Sequence, residues 1–117
     1  KAVAFLTIQP IRQGHVLVVP REEIDQWSDL PVDLAAHLMQ VSHKIANGLK
    51  VAYPATRVGL MIAGLEVPHT HIHLVPMDSM DDLSFAFAKN ADGAVLKQTA
   101  ENIRTVLVGQ GFAEANM

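Results

Sequence analysis

Three of the chain's six histidines stand at alternate positions in Val67-Pro68-His69-Thr70-His71-Ile72-His73-Leu74-Val75-Pro76. On a β-strand successive side chains alternate between faces, so this spacing puts His69, His71 and His73 on one side. Thr70, Ile72 and Leu74 then face the other side, toward a core. A row of imidazoles is poor packing material, because every ring brings two nitrogens that need partners. The row therefore reads as chemistry.

Two chemistries suit it. Alternate residues on a strand are about 6.6 Å apart along the chain, and residues four apart about 13 Å. A His-x-His pair can converge on a metal held at about 2.0 Å, while His69 and His73 together can do so only on a sharply bent strand. A pair of these residues joined by His15 is the metal arrangement left open. The second chemistry is phosphoryl transfer. A neutral imidazole is a competent nucleophile toward phosphorus, and flanking imidazoles can donate to the non-bridging oxygens. One central nucleophile with two donors uses all three residues without a metal.

The elements that must position these groups can be read along the chain. Residues 2–8 form a mostly buried strand, Gln9 to Gly14 a loop, and His15 to Pro20 a second strand paired antiparallel with the first. His15 reaches the row if that strand packs beside the histidine strand. Arg21 to Pro31 is polar, with Trp27 as an anchor onto the fold. From Asp33 to about Ala52, Leu34, Leu38, Val41, Ile45 and Leu49 recur at helical steps and form one apolar stripe. Pro54 stops that helix. His43 lies opposite the stripe and His37 flanks it. Ala35, Ala46 and Gly48 offer a close approach to the sheet or to a second subunit.

Residues 57–63 form a third strand, linked tightly through Gly64 to Pro68 to the histidine strand as an antiparallel neighbour. Leu83, Phe85 and Phe87 make a short edge strand or a loop over the core. Asp92 caps a final helix with Leu96, Ala100, Ile103 and Leu107 as its stripe. The sum is α+β: an antiparallel sheet with a long central helix and a C-terminal helix, in a single domain over residues 1–117.

Composition narrows the classes. Half of the residues are hydrophobic and 18% are charged, a globular balance. No apolar run reaches membrane-spanning length, so no membrane partner is expected. The net charge is −3 with nine scattered Lys and Arg, which argues against nucleic acid. Zero cysteines exclude disulfides and thiolate zinc sites, and fit a cytoplasmic setting. The chain opens in mid-strand at Lys1-Ala2-Val3, and upstream residues are expected to be missing.

His69-Thr70-His71-Ile72-His73-Leu74-Val75 resembles the histidine triad motif, in which histidines alternate with hydrophobic residues and two hydrophobics follow. Gly14-His15-Val16-Leu17-Val18-Val19-Pro20-Arg21 resembles that family's other recurrent stretch, in the family's order. The chain looks most like the bacterial branch related to histidine triad nucleotide-binding proteins, without the family's N-terminal helix and first strand. The resemblance implies a homodimer whose sheets join, purine nucleotide binding, and hydrolysis at the α-phosphorus through a nucleotidyl-histidine intermediate, with no metal or other cofactor in the chemical step. By position, His71 would be the nucleophile, with His69, His73 and His15 in support. Gly64 and Glu66 would lie in a phosphate-facing loop, and Phe5, Leu6 and Ile8 would line the base and ribose pocket.

The chain departs from the pattern at several positions. Thr7 stands where family members commonly place the acidic residue that binds the ribose hydroxyls. Ala63 replaces a frequent Asn, and Leu65 and Glu66 align with a Gln and a Ser or Thr. Three functions follow as expectations: a nucleotide hydrolase or transferase, a non-catalytic nucleotide-binding or sensing module, and a mononuclear zinc or iron site on His69, His71 and His15.

Overall fold

A computed structural model describes residues 2–65 and 67–112. Strands β1 (Ala2–Leu6), β2 (Val16–Pro20), β3 (Arg57–Met61) and β4 (Ile72–Met77) form one antiparallel sheet in the order β1-β2-β4-β3. Helix α1 (Val32–Ala52) lies between β2 and β3, and α2 (Gly93–Gly109) follows three short 3-10 turns at Trp27–Asp29, Met80–Leu83 and Phe85–Phe87. The α+β architecture read from the sequence is the one observed.

Directly opposed residues in an antiparallel ladder share a face. Leu6↔Val16, Val16↔Leu74 and Val18↔Ile72 therefore set one face, and Phe5↔Leu17 and Leu17↔His73 the other. The first face packs on both helices. Val16, Val18, Ile72 and Leu74 join Leu38, Ile45 and Leu49 of α1 and Ile103 and Leu107 of α2 in one core. Full burial of a side chain such as Leu38 or Leu49 stabilises the fold by roughly 1.5–3 kcal/mol.

α1 carries Asp33 in its first turn and Lys50 in its last, which complement the helix dipole. At its end the Tyr53 N–H donates to the Leu49 carbonyl before Pro54. The Asp92 carboxylate caps α2 by accepting from the Ala94 N–H at 2.7 Å. Gly48 lets α2 approach α1 closely: a Cβ there would stand 2.4 Å from Leu107 Cδ2, so at this position the close neighbour is α2.

Five expectations need correction. The first strand ends at Leu6 rather than Ile8 and holds no fully buried residue, because it is an edge of the sheet. Trp27 is 57% exposed and anchors nothing in the core. Its 3-10 turn contributes no buried residue. Of the two readings left open for Leu83, Phe85 and Phe87 the edge strand is excluded: all three lie on 3-10 turns, the first of them started by the capping box of Ser79 and Asp82. The link from β3 to β4 is longer than expected, with β3 ending at Met61. The largest correction concerns the histidine strand, which begins only at Ile72. Continuing the register of Val16↔Leu74 and Val18↔Ile72 would put Thr70 opposite Pro20, which has no N–H to give the ladder. Thr70 instead directs both its backbone N–H and its hydroxyl to the Ile24 carbonyl, at 2.7 and 2.8 Å.

Candidate active site

Only His73 of the three alternating histidines lies on β4; His69 and His71 sit on the irregular approach to it. The rings still gather. His71 and His73 are 4.8 Å apart between centroids, and His15 and His73 are 5.2 Å apart. His15 immediately precedes β2, and the β2–β4 pairing carries it to His73.

Backbone groups orient these rings. The Ile11 N–H donates to His15 Nδ1 at 3.0 Å, which makes that nitrogen an acceptor and puts the proton of neutral His15 on Nε2. His15 Nε2–H then donates to His73 Nδ1 at 2.9 Å. His73 must in turn carry its proton on Nε2. That atom is buried and has no hydrogen-bond partner among the described residues. One backbone amide thus sets two tautomers and leaves one N–H donor free.

Neutrality makes this relay consistent. Burial pushes the His15 pKa down to about 4. Burial, followed by the neighbouring His15 and His71 rings, pushes His73 down to about 4 as well. Both rings are uncharged near pH 7.

Two carbonyls hold the remaining pair. His71 Nδ1–H donates to the His69 carbonyl at 2.8 Å, so the lone pair of a neutral His71 is on Nε2. His69 Nε2–H donates to the Pro20 carbonyl at 2.8 Å, beside the place where the β2–β4 ladder stops. His71 and His69 are partly exposed, whereas His15 and His73 are 2% and 6% exposed. The partly exposed His71 ring thus presents a lone pair on Nε2, and the buried His73 ring holds its proton on Nε2.

The other sequence-derived residues are placed less uniformly. Phe5 shares the sheet face of Leu17 and His73 and is 47% exposed. Leu6 turns to the opposite face and packs against the core, away from the imidazoles. There it helps line an apolar groove of about 670 Å³ with Ala4, Val41, Ile45, Ile103 and Leu107, and Phe5 borders this groove at the sheet edge. The Thr7 hydroxyl accepts from the Gln9 N–H at 3.1 Å, and Ile8 is 70% exposed. Gly64 adopts φ +72° in open space, and Glu66 lies outside the described residues. His37 lines the apolar groove and His43 is on the surface.

Three contributors were not anticipated: the Ile11 amide, the Pro20 carbonyl and Phe85. The Phe85 ring meets His73 edge-on, with centroids 5.0 Å apart and planes at 68°. The proline ending the second strand was the available signal for the carbonyl; the Ile11 amide had none. Among the described residues no group of three or more His, Asp or Glu side chains is arranged to hold a metal ion. His15 Nε2 and His73 Nδ1 face each other at hydrogen-bond distance, which occupies both nitrogens.

An ionic clamp holds the segment that leads to Phe85. The Arg12 guanidinium donates to Asp78 and Asp82, both at 3.0 Å, and the Asp78 carboxylate also accepts the Thr56 N–H and hydroxyl at 2.8 Å. Hydrogen bonds from the Thr56 backbone and hydroxyl, and then from Arg12, hold Asp78 below the usual carboxylate range.

Residues 1–80 match the family model described as the HIT domain. The chain is similar to an adenosine 5'-monophosphoramidase from Saccharomyces cerevisiae, with 34% identity over 74 residues, 62% of this chain and 47% of that protein. It is also similar to a bifunctional bis(5'-adenosyl)-triphosphatase/adenylylsulfatase from Arabidopsis thaliana, 32% identical over 83 residues, 67% of this chain and 46% of that protein. The chain spans about half the length of these two relatives. A crystal structure of a hypothetical histidine triad nucleotide-binding protein from Sulfolobus tokodaii superposes with a TM-score of 0.81 at 26% identity, covering 93% of this chain and 79% of that one.

Proposed function

The chain belongs to the HIT domain family, and on that premise we propose that it is a metal-independent hydrolase or transferase acting at the α-phosphorus of a purine nucleoside phosphoramidate or phosphoanhydride. The observation that carries this reading is the pairing of His71, whose Nε2 lone pair is unpartnered among the described residues, with His73, whose Nε2–H likewise has no partner there. The names of the phosphoramidase and triphosphatase relatives support the substrate class.

In the proposed reaction His71 Nε2 forms a bond to the α-phosphorus. The bond to the leaving group breaks with its electron pair, and the leaving group takes a proton from water. The resulting nucleotidyl-His71 keeps its Nδ1–H on the His69 carbonyl, which stabilises the positive charge on the substituted ring. Water then attacks phosphorus, its proton passes to the hydroxide left by the first step, the P–N bond breaks, and neutral His71 and a nucleoside monophosphate are released. His73 Nε2–H donates to a non-bridging oxygen on which charge develops. A homodimer with joined sheets is the proposed assembly, and β1 and β3 are the sheet's two edges.

The test is turnover of adenosine 5'-phosphoramidate and trapping of the labelled protein by quenching into alkaline denaturant, because the P–N bond is lost in acid. A phosphorus label on His71 is the expected result; turnover undiminished in His71→Ala overturns the reading.

A second reading, a nucleotide-binding module without turnover, is favoured by Thr7, whose hydroxyl is engaged by Gln9 rather than left for a ribose diol. Tight nucleotide binding without a trapped intermediate selects it.

A further inference from the structure

We infer that Phe85 is a positioning residue that acts as a removable cover over His73, so that a substrate oxygen reaches the His73 Nε2–H only once the Phe85 ring is displaced. This inference deepens the proposed function and rests on its assignment of His73 as a phosphoryl donor. Phe85 also lies outside the residues matched by the family model, which end at position 80.

The argument starts from an unmet demand. The relay from the Ile11 amide through His15 leaves His73 with its proton on Nε2. That nitrogen is both buried and unpartnered among the described residues. A buried donor without a partner is destabilising, so a phosphoryl oxygen there gains a charge-assisted bond and removes an existing penalty. Access is the difficulty, because a donor sealed from solvent is equally sealed from substrate.

Phe85 is the cover that can move. His15 is held by Ile11 and His73, and His71 by the His69 carbonyl, whereas Phe85 contributes only an edge-on ring contact and is 48% exposed. Its backbone has the same character. The preceding 3-10 turn, Met80–Leu83, is tied down through Asp82, which accepts from Arg12 at 3.0 Å and from the Asp78 N–H at 2.8 Å. Downstream, the Lys89 and Ala91 N–H groups donate to the Pro10 and Ile8 carbonyls at 3.2 and 3.0 Å. The Phe85–Phe87 turn bridges these anchors with no buried residue of its own. Its hydrogen bonds are all internal to the turn, from the Ala86 N–H to Ser84 Oγ at 3.3 Å, the Phe87 N–H to the Ser84 carbonyl at 3.2 Å and the Ala88 N–H to the Phe85 carbonyl at 3.1 Å, and among the described residues none ties it to another element. An aromatic ring on a weakly held span between two fixed ends is suited to swinging as a unit.

The test compares wild type with Phe85→Ala and Phe85→Leu, reading the His73 imidazole by nitrogen-15 NMR and the affinity for AMP by calorimetry. Removing the cover should raise the His73 titration midpoint by at least about one pH unit, since desolvation by the ring is lost. His15 and His71, the other titratable groups beside His73, remain in place. AMP should bind Phe85→Ala severalfold more tightly, because no fraction of the protein is closed to it. Phe85→Leu, which keeps apolar bulk, should restore most of the wild-type midpoint. Unchanged His73 titration and AMP affinity in Phe85→Ala overturn the inference. Wild-type protein that turns over no nucleotide, with His73 and AMP affinity shifting as described, defeats the hydrolase reading and leaves the cover standing.

Discussion

His15 Nε2 donates to His73 Nδ1 across 2.9 Å, and the direction of that bond is dictated by the Ile11 amide on the far side of the His15 ring. Replacing His15 by Ala removes the partner that fixes the His73 tautomer. Neutral His73 should then sample both tautomers, visible in its ring nitrogen shifts, and kcat should fall about tenfold, the equivalent of one hydrogen bond. A kcat unchanged in His15→Ala would show that the relay does not orient the donor.

His71→Ala removes the proposed nucleophile and should lower turnover at least about a hundredfold while AMP still binds. His71→Gly with added imidazole should regain part of the activity, since free imidazole can occupy the vacated place. Steady-state rates with and without imidazole check this.

Stability should fall as the solution is acidified from neutrality. His15 and His73 have folded-state pKa values of about 4 against an ordinary 6.5, so between those values the unfolded chain binds more protons than the folded one. Their contribution is complete above about pH 6.5 and is lost as pH falls toward 4, at up to about 1.4 kcal/mol per pH unit for each ring. Urea midpoints measured at pH 7, 6 and 5 should decline in that order. A midpoint constant over this range contradicts the burial of two neutral imidazoles.

Gly14→Ala should destabilise the protein and disturb the site together. Gly14 has φ +95°, and a Cβ there would stand 3.0 Å from Pro76 Cγ and 3.3 Å from the Tyr53 ring. The left-handed backbone alone costs a side chain about 1–2 kcal/mol. The same residue leads directly into His15, so thermal unfolding and AMP affinity should both decline.

Thr7→Asp should strengthen nucleotide binding. A carboxylate can hold both hydroxyls of a ribose, and it can also accept the Gln9 N–H that the Thr7 hydroxyl now takes. A severalfold tighter Kd for AMP, with no gain for 2',3'-dideoxy-AMP, is the expected pattern. Equal gains for both ligands would place the new charge away from the ribose.

Much of the fold was legible because its signals are local. The stripe from Leu34 to Leu49 repeats at helical spacing, Asp92 stands at a cap position, and β-branched runs bounded by Pro and Gly mark strands. Those features act over a few residues and survive in any context. The alternation of Thr70, Ile72 and Leu74 correctly marked buried side chains at 2%, 3% and 1% exposure. It failed as a strand signal at Thr70, because the partner opposite is a proline that donates nothing.

The histidine types and spacing were thus determined by sequence alone, along with the prospect that a second strand could bring His15 to the row. Which nitrogen of each ring carries the proton was decided only by tertiary structure. A tautomer depends on what stands within about 3 Å of each nitrogen; the Ile11 amide beside His15 is close in the chain, but Pro20 beside His69 and His15 beside His73 stand 49 and 58 residues away. Alternation can align imidazoles, but only the folded backbone leaves the proton on Nε2 of His73 and the lone pair on Nε2 of His71.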